Sequence, residues 1–310
     1  MLLFAGSSHP ALANSIAKEL STELGEITLK QFSCGERYVK YEESLRGKDV
    51  YILQTSTREP DKDLMELFLL CQAATLSFAN TVHVIMPHFP YARQDRVALP
   101  REPISSKLVA HLLEEAGADH VMTLDLHSSQ IQGFFSIPVD ALTALEIFAK
   151  YFIEKNIDDA VVVSPDAGGA KRAKKFADLI GADLAIIHKS RPQHQQAEVI
   201  ELVGDVKDRT CIIFDDMIDT GGTPLAAKNA LVAHGANPDV YVAATHGIFS
   251  GKAEENMTKA GFKEVVVTDS MPMDSINISG LKVLGVAPML AEVIYHIEKG
   301  ESVTEMYNKK

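Results

Sequence analysis

Cysteine is scarce in this 310-residue chain, and the three that occur, Cys34, Cys71 and Cys211, stand far apart with no metal-ligand spacing. An odd count without pattern argues against a disulfide framework and for a reducing compartment. Positive charge is short as well. Thirty Lys plus Arg against 42 Asp plus Glu leave a net charge of −12. That balance excludes the continuous basic cover a duplex nucleic acid needs, though not a local basic pocket for a phosphorylated small molecule. No apolar run reaches the roughly 18 residues that cross a bilayer. The opening MLLFAGSSHP is apolar for five residues only and has no basic leader, unlike a secretory signal. Low-complexity tracts are absent, as are Walker A and G-x-G-x-x-G sequences, which sets those two modes of nucleotide binding aside. The expectation is a cytoplasmic protein that binds neither nucleic acid nor membrane.

What is present is alternation. Strand-like runs LLFAG, EITLKQF, DVYILQT, TVHVIMP and HVMTLDL occupy the first half; AVVVSPD, LAIIHKS, CIIFDD, DVYVAAT, EVVVTD and KVLGVA occupy the second. Between them lie helical patterns such as ISSKLVAHLLEEAG and TPLAAKNALVAHG, apolar at i, i+3 and i+4 and closed by a glycine. Length and 46% hydrophobic content fit two α/β domains, each a mainly parallel sheet flanked by helices. The proline in SIPVD interrupts the pattern, so the boundary is placed at 141/142, giving domains 1–141 and 142–310. One helical segment, DLMELFLLCQAATLSF, is apolar nearly all round, which predicts burial on more than one side, in a core or a subunit interface.

In open α/β sheets, ligands bind beyond the carboxyl ends of the strands. Here several strands end in polar residues: Asp125 and His127, Asp166, Lys189 and Arg191, Asp215 and Asp216. After the acidic pair, Asp219-Thr220-Gly221-Gly222-Thr223 form a tight turn into a helix starting near Pro224. Glycines admit backbone N–H groups to an anion, and the helix N-terminus adds partial positive charge. A helix cap at Asp219 or Thr223 is the plainer account, yet caps rarely need an acidic pair upstream. SPDAGGAKRAKK repeats the design with Gly168 and Gly169, while Lys174 and Lys175 read as solvated helix surface. Two anion cradles in one half suggest a substrate with phosphate at both ends. Asp166 and His127 could hold Mg²⁺ between carboxylate and phosphate, with His127 reading equally as a structural histidine. Arg93, Arg96 and Arg101 sit in a proline-rich loop, either as phosphate forks or as a plain surface connection.

DLHSSQIQGFFSIPVD, RQDR at 93–96, SPDAGGAKRA and FDDMIDTGGT together resemble the ribose-phosphate pyrophosphokinase family, over nearly the whole chain and in the right order. The resemblance implies two phosphoribosyltransferase-like domains and an enzyme of nucleotide biosynthesis. It would transfer the β,γ-diphosphate of Mg-ATP to the 1-hydroxyl of ribose 5-phosphate and release AMP. By matching motif, it assigns Asp219, Thr220, Gly221, Gly222 and Thr223 to the 5-phosphate and Asp215 to the ribose hydroxyls. Gly168 and Gly169 fall in the diphosphate loop, and His127 and Asp166 bind magnesium. Lys189 and Arg191 match the catalytic loop, with Arg191 also near the sugar phosphate. Arg93 and Gln94 contact ATP, and Cys34, Gly35 and Glu36 match a segment that reaches the adenine across a subunit interface. The family assembles as dimers stacked into hexamers.

Three departures stand out. The family usually has Asp-Gly-Glu where Cys34-Gly35-Glu36 stands here, a lysine where Val97 follows RQDR, and a more basic, serine-bearing segment where this chain has TLSFAN. Two other readings compete: a phosphoribosyltransferase consuming the same product, and a non-catalytic regulatory homologue.

Overall fold

The computed structural model describes residues 1–190 and 199–303. Its backbone divides into two units: Met1–Leu142 with Ser270–Pro272 and the segment from Gly285 onward, and Thr143–Asp269 with Met273–Leu284.

The first unit runs β1 (Leu2–Ala5), α1 (Pro10–Glu19), β2 (Ile27–Gln31), β3 (Arg37–Tyr41), β4 (Asp49–Leu53), α2 (Pro60–Leu76), β5 (Thr81–Met86), α3 (Ser105–Glu115), β6 (His120–Leu124) and β7 (Val139–Leu142). Five strands form one parallel sheet in the order β1-β4-β5-β6-β7. A sheet covered on both faces selects near-continuous apolar runs, and DVYIL of β4 is buried over its last four residues. The remaining two strands, β2 and β3, pair antiparallel as a separate hairpin.

The second unit runs α4 (Leu145–Lys155), β8 (Ala160–Ser164), α5 (Ala170–Ile180), β9 (Asp183–Ser190), β10 (Val199–Val203), β11 (Thr210–Ile218), α6 (Gly222–Ala233), β12 (Tyr241–Gly247), α7 (Ala253–Ala260), β13 (Glu264–Thr268) and β14 (Leu281–Leu284). Its strands lie in the order β10-β9-β8-β11-β12-β13-β14, parallel except for the β9–β10 pair. Alternation along β11 separates its two faces. Phe214 stacks on Phe176 of α5 at 4.3 Å, whereas Ile213 clusters with Ala227 and Leu231 of α6. Helices therefore cover both faces, as the strand–helix alternation predicts.

Three differences from the sequence expectation are physical. The segment ALTALEIFAKYFIEK after SIPVD, helical in pattern from 141, becomes helix only at Leu145, because Val139–Leu142 pair with β6 as an edge strand. The second domain expected over 142–310 differs from the observed grouping at its end. The last helix, α8 (Ala287–Lys299), contacts α1 and belongs to the first unit, where Glu298 accepts a hydrogen bond from Tyr51 Oη at 3.0 Å. Finally, α2 is not buried all round. Leu64, Leu67, Leu70, Cys71 and Ala74 enter the core, but Met65 is 52% and Leu76 73% exposed.

Candidate active site

The strand order of the second unit reverses at one place. From β8 the chain crosses through α5 to β9 on one side; from β11 it crosses through α6 to β12 on the other. Beyond the carboxyl ends of two strands whose crossovers diverge, the connecting loops leave a crevice, the usual ligand position in such sheets. The two glycine loops anticipated from sequence flank this switch point: Asp166–Gly169 follows β8 and Asp219–Gly222 follows β11. They are close neighbours, since a Cβ on Gly169 would lie 3.8 Å from Asp215 Oδ1.

The β11 loop is braced from behind. Ser250 Oγ donates to the Asp219 carboxylate, and Asn256 Nδ2 donates to Thr220 O at 2.8 Å. Gly221 is left-handed (φ 72°), and a Cβ there would meet Asn256 Cβ and Met257 Sδ at 3.2 Å each, so the position admits glycine alone without rearrangement. Gly221 is also the residue that opens α6, and no side chain caps that helix. Its first N–H groups are therefore available to an anion. Thr220, Gly222 and Thr223 are exposed beside them.

On the β8 side, Asp166 Oδ1 accepts from Gly169 N at 2.8 Å, and Ser164 Oγ donates to Asp166 O at 2.7 Å. The Asp166 carboxylate thus shapes the loop with one oxygen and remains exposed. Between the loops lies Arg172, the third residue of α5. Its Nη1 is 2.9 Å from Asp216 Oδ1 and 3.7 Å from Asp215 Oδ1. Asp216 is buried, and the guanidinium answers its charge; Asp215 is half-buried and more open. Burial, with the carboxylate of Asp216 alongside, holds the Asp215 carboxyl well above the usual range. Asp215 and Asp216 are adjacent at the end of β11, and the closer Arg172 contact to Asp216 distinguishes them.

The first unit holds the other candidates. Cys34, Gly35 and Glu36 form the exposed tip of the β2–β3 hairpin, with Gly35 left-handed at φ 98°. Arg93 and Gln94 lie on the loop after β5, where Gln94 O accepts from Ser106 Oγ at 3.0 Å and anchors the start of α3. His127 is exposed on the loop after β6. These two loops are tied together by Gln130 Nε2, which donates to Asp95 Oδ2 at 2.8 Å. Arg191 and the side chain of Lys189 lie outside the described residues; the Lys189 backbone belongs to β9, opposite Ile200. No group of three His, Cys, Asp or Glu side chains placed to hold a metal occurs among the described residues. Sequence reasoning missed Ser250 and Asn256, which reach the β11 loop from a distant part of the chain and carry no local signature, and Ser164, which stands at the end of β8 beside the motif it braces.

Comparison with known proteins decides the family. The model of the N-terminal domain of ribose phosphate pyrophosphokinase matches residues 1–117, and that of the phosphoribosyl synthetase-associated domain matches residues 190–308. Ribose-phosphate pyrophosphokinase of Oceanobacillus iheyensis is 44% identical over 307 residues, covering 99% of this chain and 96% of that protein. The chain belongs to the ribose-phosphate pyrophosphokinase family. Another relative, from Clostridium perfringens, is 45% identical over 309 residues, 98% of this chain and 97% of that protein. Among solved structures, phosphoribosylpyrophosphate synthetase from Mycobacterium smegmatis is 44% identical and superposes with a TM-score of 0.92, covering 96% of this chain and 99% of that one. The fold is accordingly that of two phosphoribosyltransferase-like domains.

Proposed function

We infer that this enzyme transfers the β,γ-diphosphate of ATP to the 1-hydroxyl of ribose 5-phosphate, giving 5-phosphoribosyl 1-diphosphate and AMP. The observation that carries the reading is the pair of glycine loops at one switch point, with an acidic residue open between them, in a member of the family that matches its relatives over nearly all of their length. The uncapped start of α6, with Asp219–Thr223, takes the 5-phosphate. Asp215 accepts from the ribose hydroxyls, while Arg172 keeps Asp216 neutralised beneath it. Gly168 and Gly169, which carry no side chain, leave the β8 loop backbone open to the incoming diphosphate, while the Gly169 N–H is held by Asp166 Oδ1.

In-line displacement at phosphorus needs little covalent help and much positioning and charge neutralisation. Lys189 and Arg191 supply positive charge as AMP departs. Arg93 and Gln94 hold the nucleotide, and the Cys34–Glu36 tip serves the adenine of a neighbouring subunit. Asp166 and His127 would hold a divalent ion, Mg²⁺ in this reading. The exposed Asp166 oxygen is the hard donor such an ion prefers, and the ion would screen the phosphate charges. The acidic residues at the sugar are the candidates for accepting the hydroxyl proton.

No helix among the described residues is long and apolar enough to cross a membrane; the cytoplasmic reading rests on the three unpatterned cysteines. Assembly through dimers into a hexamer rests on the family resemblance; the apolar groove of about 300 Å³ between α2 and α3, where Met65 and Leu108 are more than half exposed, is a surface that a neighbouring subunit would cover. Release of AMP from ATP only when ribose 5-phosphate is present tests the activity. AMP without the sugar phosphate, or none with it, would refute it. A mass measurement in solution tests the assembly.

A further inference from the structure

The hairpin carrying Cys34–Glu36 packs Ile27, Leu29 and Val39 against the core of its unit and is tied to it by polar contacts at two levels. At the base, Tyr41 Oη donates to Leu70 O at 3.0 Å and its ring meets Phe4 edge-on at 4.6 Å. Nearer the tip, Arg37 turns inward, with Nη1 3.4 Å from Oε2 of Glu66, a carboxylate only 1% exposed. The other Glu66 oxygen accepts from Ser7 N at 2.7 Å and from Gln54 Nε2 at 3.0 Å. Gln54 also donates to Asp63 O at 3.2 Å and accepts from Ser8 N at 3.1 Å. The anchoring carboxylate, on α2, is thus fixed by groups at the ends of β1 and β4. Gly6 makes room for it, because a Cβ there would fall 2.2 Å from Gln54 Oε1.

Arg37 directly follows Glu36, so the ion pair sets where the tip stands. The tip's own bonds are short-range: Phe32 N to Glu36 O and Gly35 N to Phe32 O, each 2.8 Å, and Gln31 Nε2 to Gly35 O at 2.9 Å. They preserve the shape of the turn but do not orient it against the sheet. We propose that Arg37 and Glu66 are positioning residues for the nucleotide: their pair holds the hairpin tip in its binding orientation and so sets the affinity for ATP without touching it. This rests on the adenine-facing reading of Cys34–Glu36 given above. The physical basis is pre-organisation. Apparent affinity scales with the fraction of the protein in the competent state, so a tip that is correctly placed a tenth of the time binds tenfold more weakly.

The test uses the full-length enzyme and four variants: Arg37→Met, Glu66→Gln, Arg37→Lys and Glu36→Gln. Arg37→Met and Glu66→Gln should each raise KM for ATP about tenfold, leaving kcat and KM for ribose 5-phosphate within about twofold. Arg37→Lys should recover most of the loss. Amide hydrogen exchange at residues 32–38 should speed up in the first two variants. Glu36→Gln tests the underlying reading alone. If it leaves KM for ATP unchanged, the tip does not read the nucleotide and the reading itself falls. If Glu36→Gln weakens ATP but Arg37→Met does not, the positioning role is overturned and the reading survives. Equal loss in kcat and in both KM values would show general damage and would also overturn it. Should Glu66→Gln fold poorly, Arg37→Met decides the matter, since Arg37 is only half-buried.

Discussion

The two sheets are built from the same parts and differ in one topological respect. In the first unit the parallel strands run β1-β4-β5-β6-β7, always in the same direction; in the second the order reverses between β8 and β11. The loops differ accordingly. In the first unit, loop N–H groups after β1 and β4 are occupied by the protein's own side chains: Glu66 on Ser7 N, Gln54 on Ser8 N, and Asp63 on Thr57 N at 2.6 Å. In the second, the start of α6 carries no side-chain cap. A glycine-and-serine loop at a strand end is therefore not enough to make an anion site. It must also have donors left over, at a point where neighbouring crossovers part.

The sharpest test of this contrast is Lys189→Ala, on a strand of the reversed sheet. Turnover should fall by roughly 10³-fold, as when a cationic finger is lost, while ribose 5-phosphate still binds by calorimetry. Near-normal turnover would remove Lys189 from the mechanism. Next comes Arg172→Met, which leaves the buried Asp216 charge unanswered and should lower unfolding stability by about 3 kcal/mol in urea melts. A loss under ~1 kcal/mol would mean the acidic pair needs no counter-ion.

A matched pair of glycines follows. Gly221→Val should reduce kcat/KM for ribose 5-phosphate by about 10²-fold, because the misplaced loop no longer fits the phosphate. Gly47 in the first unit has a similar φ of 68° but nothing within 4 Å of a Cβ. Gly47→Ala should cost only about 1 kcal/mol of stability and leave kinetics unchanged. Equal kinetic effects at both glycines would break the comparison.

The last effect, one of pH, belongs to the first unit alone. His83 is stacked on Tyr51 at 4.4 Å and lies 3.2 Å from His120 Nδ1. Burial, then the neighbouring His120, lowers its pKa from 6.5 to about 4. Between those values the unfolded chain binds the extra proton and the folded one does not. Stability should therefore fall on acidification through that window, by on the order of 2 kcal/mol. Melts from pH 7 to 4 measure it, and His83→Gln should flatten the slope.

Much of this was legible in the chain. Strands such as AVVVS and CIIFDD declare themselves because a doubly covered parallel strand must be apolar throughout. Glycine loops declare themselves because few other residues fit their backbone. What escaped was weakly patterned or paired at a distance. RYVKY of β3 alternates polar and apolar residues on an exposed hairpin, and Val139–Leu142 is a four-residue edge strand that reads as the start of a helix. The apolar surplus of α2 implied burial on more than one side, in a core or a subunit interface, and within this chain Met65 and Leu76 stand exposed.

By itself the sequence determined the α/β class and the two glycine loops at strand ends, because those depend on local periodicity and on glycine's freedom of φ. Tertiary structure alone decided which loops meet, that Arg172 neutralises Asp216 rather than Asp215, that Ser250 and Asn256 brace the β11 loop, and that the last helix returns to the first unit. Each of these is a contact between residues distant in the chain, chosen by strand order and packing, and no local pattern encodes it.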